Sequence, residues 1–158
     1  MVNKRQNILF LLTSILLATA VPVMAQNATL DLSPGFDRAQ ASRLGNTGSD
    51  LLLTDLAADL STNVPAACRI EERYSSQQPD HLLNLPQELV DLRLTVNSNG
   101  KPTTLMVQDP QGRLYCGQPG SGFNEDSVLN RTHWDAGEYK VWVSGADAGQ
   151  QYRLSARE

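Results

Sequence analysis

The sequence predicts an all-β protein: an antiparallel β-sandwich of jelly-roll-like layout, preceded by a cleavable signal-peptide helix. Three observations carry that prediction. From Asp80 onward, short runs alternate apolar and polar residues with the period of two that a half-buried strand requires. Turn-forming residues interrupt these runs about every 8 to 12 residues, the spacing of a sandwich. No long apolar stretch of helical period separates the strands, as a parallel βαβ fold would need.

The elements follow in chain order. Lys4 and Arg5 precede an uncharged apolar run, Ile8 to Ala20, and Val23 and Ala25 occupy the small-residue positions of a signal-peptidase site. That run of about 13 residues falls short of the roughly 20 needed to span a bilayer as a helix, so residues 1–25 read as a secretion signal. No stable membrane insertion is expected after cleavage. Residues 26–158 then form one domain. From Gln26 to Val64 the pattern is weak: Ala28 to Leu32 suits a short strand, and the residues up to Ser49 show no clear period. Asp50 to Leu60 admits two readings. Leu52, Leu53, Leu56 and Leu60 fit helical spacing with Asp50 as cap, whereas Leu51 to Leu53 also suits a buried strand. A strand followed by a short helical turn is the reading favoured by the β character downstream.

His81 to Leu85 reads as a strand stopped by Pro86, which cannot donate to a central ladder. Leu92, Leu94 and Val96 alternate with Arg93, Thr95 and Asn97, ending at an Asn99-Gly100 turn. Leu105 and Val107 share one face of the next strand, which turns through Asp109-Pro110-Gln111-Gly112, a type I pattern, into a short partner. Cys116 to Asn130, with its Gly, Pro and Ser residues, reads as a loop. Glu138 to Val143 and Tyr152 to Ala156 are expected to close the domain as a hairpin.

Composition narrows the function. The chain has 13 basic and 17 acidic residues, and both leader charges are basic, so the mature chain carries about −6. The basic residues are not clustered in sequence, which argues against nucleic acid as a partner. Cys68 and Cys116 are the two cysteines. In an exported chain an even count favours a disulfide; two buried thiols or half of a metal site are the alternatives. Secretion or periplasmic residence is the expected location.

Candidate chemistry is sparse. His133 and Asp135 lie two apart on one strand face, but no nucleophile motif accompanies them, and His81 has no ligand spacing. No catalytic residues are expected. Asn124, Glu125 and Asp126, with Asp109 approaching from the preceding turn, are a candidate calcium set, although they match no EF-hand spacing; no other cofactor is indicated. In Glu138 to Ser144, Tyr139, Val141 and Val143 share one face, which leaves Lys140, Trp142 and Ser144 on the other. Trp142 is then either covered by the N-terminal segment or exposed beside Lys140 and Arg153 as a platform for a sugar ring or peptide.

These residues carry a resemblance. Thr103, Thr104, Leu105, Val107, Pro110 and Gly112, with Trp134, Gly137, Tyr139, Val141, Trp142 and Val143, are similar to the hairpin and closing strand of the bacterial pre-peptidase C-terminal domain family and its stand-alone exported relatives. The match is strongest over residues 79–156. It implies a non-catalytic β-sandwich serving secretion, localisation or attachment to an extracellular or envelope polymer or protein; some relatives bind calcium or use exposed aromatics. This chain departs from the pattern at Gly117-Gln118-Pro119-Gly120, where relatives carry acidic residues, and Gln26 to Val64 is too short for a peptidase. The function expected is an exported binding or attachment module. Pairing of an edge strand with another exported protein is the alternative, and a small hydrolase is a distant third.

Overall fold

A computed structural model of the chain describes residues 28–119 and 126–158. The signal-peptide reading lies outside these residues. The architecture is a sandwich of two sheets with one short helix laid on the outside of the larger sheet. Its strands are β1 (Ala28–Asp31), β2 (Ser42–Asn46), β3 (Leu51–Leu52), β4 (Tyr74–Ser75), β5 (His81–Leu85), β6 (Arg93–Asn97), β7 (Thr103–Gln108), β8 (Leu114–Cys116), β9 (Gln118–Pro119), β10 (Ser127–Asn130), β11 (Gly137–Gly145) and β12 (Gln151–Arg157). The helix α1 spans Leu53–Leu60, and a single 3-10 turn covers Ala66–Cys68.

In the larger sheet β11 is central. One of its flanks is taken by β7, which continues to β8; the other is shared by β5 and β4, and these lead to the edge strands β1 and β3. The smaller sheet runs β2-β12-β6-β10-β9. All described pairings are antiparallel except that of β1 with β5. The main core lies between the sheets. There Leu94, Val96, Leu154 and Ala156 meet Leu83, Leu105, Val107, Tyr139, Val141 and Val143. The alternation read from the sequence groups Leu94 with Val96, Leu105 with Val107, and Tyr139 with Val141 and Val143 correctly, because a strand presents every second side chain to the same face.

Several expectations are corrected. The predicted closing hairpin does not form: β11 and β12 lie in different sheets. Both flanks of β11 are already filled, so the chain crosses the sandwich through residues 146–150 instead. Thr47 holds that crossing. Its hydroxyl donates to the Asp147 carbonyl at 2.7 Å and accepts the Gln150 N–H at 3.0 Å. The Cys116 to Asn130 stretch is not wholly loop, since β9 and β10 pair within it. The weak N-terminal stretch contains β2.

Leu51–Leu52 is a strand, as favoured, but the helical turn after it is a full two-turn helix. Asp50 does not cap it; its carboxylate accepts the Gln77 N–H instead. The Asn99-Gly100 turn has both residues at positive φ, at 55° and 78°, and joins strands of different sheets. Asp109 to Gly112 closes as expected, with the Gly112 N–H donating to the Asp109 carbonyl at 2.9 Å.

A second, smaller core lies on the outer face of the larger sheet. Leu53, Leu56 and Ala57 sit at the i, i+3, i+4 spacing of one helix face and cover Met106, Leu114 and Trp142. Cys68 and Cys116 are disulfide-bonded with Cα atoms 5.2 Å apart, tying the 3-10 turn to β8 beside this cluster.

Candidate functional site

The tryptophan platform is not assembled. Trp142 is 2% exposed and packs beneath α1, in the smaller core. Lys140 and Arg153 are both exposed, but they stand on the outer faces of different sheets, with the whole sandwich between them. Alternation along β11 does turn Trp142 away from the main core. What it meets there is decided by a helix from elsewhere in the chain, which is the covered alternative.

Of the calcium set, the two described carboxylates, Asp109 and Asp126, are not brought together. Asp109 is buried, and its carboxylate serves its own hairpin. One oxygen accepts the Gln111 and Arg113 N–H groups at 3.0 and 2.8 Å; the other accepts Arg113 Nε at 2.5 Å and the Tyr115 hydroxyl at 3.3 Å. Asp126 accepts Asn97 Nδ2 at 3.0 Å beside Ser127, whose hydroxyl accepts the Leu105 N–H. It thus stands toward the other end of β7 from Asp109, several residues at about 3.3 Å each. Asn124 and Glu125 lie outside the described residues. Among the described residues no group of three or more His, Cys, Asp or Glu side chains comes together as a metal would require.

Both histidines have structural partners. His133 is exposed and meets Asp135 at 3.0 Å, while the other Asp135 oxygen accepts Arg113 Nη2 at 3.2 Å. Between them Trp134 is fully buried, deeper than a sheet-edge residue, and its Nε1 donates to the Leu92 carbonyl at 3.0 Å. Tyr139 donates its hydroxyl to the Asp135 carbonyl at 2.9 Å, which pins the corner. His81 is buried between the sheets, with Nε2 2.8 Å from the Tyr152 hydroxyl.

Asp80 and His81 are neighbours with opposed electrostatics. Asp80 fills the gap that β5 and β4 leave on the flank of β11. It accepts the Val143 N–H at 2.8 Å and the Ser76 hydroxyl at 3.0 Å. Burial nevertheless pushes its carboxyl from the usual 3.8 up to about 6, with the Asp50 charge adding a little. Burial pulls His81 from 6.5 down to about 4, and the Arg43 charge acts the same way.

The signs oppose. The stability due to His81 is present above about pH 6.5 and lost as pH falls through about 4. The stability due to Asp80 is present below about pH 3.8 and lost as pH rises through about 6. Each is worth on the order of 2 to 3 kcal/mol, so between pH 4 and 6 the two nearly cancel. Asp80→Asn is therefore expected to unmask the histidine, giving a stability that climbs by on the order of 2 kcal/mol from pH 4 to 6.5. Urea midpoints across that range check this; a variant whose profile is as level as the parent's refutes the compensation.

An opening that sequence reasoning missed lies along β2. Ala41 and Thr47 flank this strand and bond to Ala156 and Gln150 of the β12 side, at 2.8 and 3.0 Å. By the antiparallel alternation, Arg43 and Gly45 also face β12, and the N–H and C=O groups of Leu44 and Asn46 point away from it. Among the described residues no strand pairs with that outer edge. Leu44, at its middle, is 70% exposed. Beside it a surface hollow of about 200 Å³ is lined by Leu44, Gly45, Asn46, Gln151 and Tyr152.

Gly45 is needed there, because a Cβ would stand 2.4 Å from the Tyr152 ring. At the neighbouring edge strand β1 one carbonyl is occupied: Arg43 reaches across the sandwich, and its Nε and Nη2 donate to the Thr29 carbonyl at 3.0 and 2.6 Å. A five-residue run without periodicity gave no sign of any of this, since edge position depends on the pairing of the whole sheet.

No protein-family model matches the chain, and no curated protein matches it. Among solved structures it is similar to the 1.0 Å crystal structure of the pre-peptidase C-terminal domain of collagenase from Bacillus anthracis. The likeness covers 83% of this chain and 96% of that one at 13% identity, with a TM-score of 0.47. Such a likeness transfers no site residue and no ligand to this chain.

Proposed function

We propose that this chain is a non-catalytic exported module that holds an extended segment of a partner protein along the open edge of β2. The observation that carries the reading is that edge itself. Leu44 and Asn46 present backbone donors and acceptors outward, beside an exposed leucine and a hollow large enough to take a side chain. An added strand supplies the matching backbone groups for affinity, and alternate side chains supply specificity. The edge is five residues long. That is short for a subunit interface, which buries on the order of 1,000 Å² or more, but it suits one added segment.

The non-catalytic part of the reading is supported by the chemistry of the candidate groups. Both cysteines are oxidised together, His81 is buried and kept neutral by its surroundings, and Asp135 divides its carboxylate between His133 and Arg113. Attachment through an aromatic platform loses its anchor with Trp142 under the helix. The export part rests on the leader sequence and the disulfide.

A photo-crosslinking residue in place of Leu44, compared with one at the exposed Val90, tests the proposal in the exporting cell. The expected result is a crosslinked protein at position 44 alone. In the purified complex the Leu44 and Asn46 amides should gain about tenfold or more protection from hydrogen exchange, while those of Arg43 and Gly45, already facing β12, change little. Leu44→Lys should fold and lose the complex. A complex that forms without protection of those two amides, or equally well with Leu44→Lys, overturns the reading.

A further inference from the structure

The two sheets differ on their outer faces. The larger one is roofed by α1, whereas on the smaller one the residues between the buried Leu94, Val96, Leu154 and Ala156 are open to solvent. Register fixes what stands there. Arg157 lies directly opposite Arg93, Ser155 opposite Thr95, and Arg153 between Asn97 on one side and Leu44 on the other. Every outward position of β2, β6, β10 and β12 is an arginine, an amide, a hydroxyl, Leu44 or Val128; none is a carboxylate. In a chain with 17 acidic residues against 13 basic ones, that is a marked separation of charge.

The arrangement has an energetic cost within the fold. Like charges directly opposite on neighbouring strands repel, as Arg93 and Arg157 do. Among the described residues Arg93, Arg153 and Arg157 make no ion pair within 4.0 Å; the pairs present are those of Arg113 and His133. Of the carboxylates at the margin, those of Asp126 and Glu158 have hydrogen-bond partners of their own. Asp126 is buried against Asn97, and Glu158 accepts the Gly35 N–H at 2.8 Å.

The geometry points to this face as a binding surface for a linear polysaccharide bearing carboxylates. Guanidinium groups match carboxylates with a planar two-donor fork. Arg153 and Arg157 are four residues apart on one strand, about 13 Å, and Arg93 lies one strand over, about 5 Å away. Charges so spaced meet successive groups of a chain rather than a single ion. The Asn, Gln, Ser and Thr side chains between them supply donors and acceptors for sugar hydroxyls. An acidic protein would seek a buried aromatic or apolar centre, and a single-stranded nucleic acid would seek stacking rings; among the described residues the outward positions of β2, β6, β10 and β12 include no aromatic residue. The inference does not depend on strand addition at β2.

The test is affinity electrophoresis of the mature chain through gels containing polygalacturonate, uncharged dextran or poly-glutamate. Retardation by polygalacturonate alone is expected, weakening as salt rises. Arg153→Ala with Arg157→Ala should reduce it about tenfold or more while leaving the unfolding midpoint in urea near the parent's, since both side chains are exposed and unpaired. No retardation by polygalacturonate overturns the inference. So does equal retardation by dextran, and so does an unchanged affinity in a folded double variant. Retardation by poly-glutamate in place of polygalacturonate replaces the polysaccharide with an acidic protein.

Discussion

Trp142→Ala is expected to destabilise the protein by about 3 to 5 kcal/mol, the cost of emptying a buried aromatic site. The side chain lies among Leu53, Leu56, Ala57 and Met106, in a cluster roofed by a helix of eight residues. Such a thin roof has little else to hold it. Losing the indole removes both its transfer from water and its contacts with α1, and the space left can close only if the helix sinks. Urea unfolding measures the loss directly. Trp142→Phe should cost less, because the ring keeps part of the volume and the indole Nε1 has no partner among the described residues. Leu44→Ala, at an exposed site, should stay within about 0.5 kcal/mol of the parent. Equal effects of Trp142→Ala and Leu44→Ala would place the tryptophan on the surface and contradict the roofed arrangement.

Replacing both Cys68 and Cys116 by alanine is expected to cost on the order of 4 kcal/mol, from the entropy released to an unfolded chain no longer closed across 48 residues. The loss should not be confined to the unfolded state. The disulfide ties the 3-10 turn after α1 to β8, so without it the helix keeps only the smaller core and the Leu53 N–H bond to the Arg73 carbonyl at its start. Local opening of α1 should then become frequent while the main core stays closed.

Two tryptophans make this readable. Trp142 should shift its emission to the red and become accessible to quencher, whereas Trp134, fully buried in the main core, should not. A Trp134→Phe background isolates the signal. Because Trp142 and the disulfide secure the same roof, their combined loss should be smaller than the sum of the separate losses. Strict additivity, or a double alanine variant with unchanged Trp142 emission, would show that the roof does not depend on the bond.

Much of the fold was legible in the sequence because it is local. Pro86 ends β5 for want of a donor, and the Asp109 to Gly112 turn follows from its residues. Tyr139, Val141 and Val143 point inward because successive side chains alternate. Even the pairing of Cys68 with Cys116 needed only an even count and an oxidising destination. The predicted closing hairpin failed for a non-local reason. Nearness in the chain favours pairing of Glu138 to Val143 with Tyr152 to Ala156, but β7 and β5 already flank β11. The residues of β2 failed differently, because Ser42 to Asn46 carries no apolar–polar alternation to mark it as a strand.

What the sequence determined by itself is therefore the class of fold, most strand positions, the inward set of core residues and the disulfide. The tertiary structure decided the surfaces. It put Trp142 under α1, sent Lys140 and Arg153 to opposite sides of the sandwich, turned Asp109 into its own hairpin, and brought Arg93, Arg153 and Arg157 onto one face beside the open edge of β2, at outward strand positions that include no carboxylate. The physical reason is that alternation tells which side of its strand a residue occupies. Only the pairing of strands distant in sequence settles what, if anything, lies against that side.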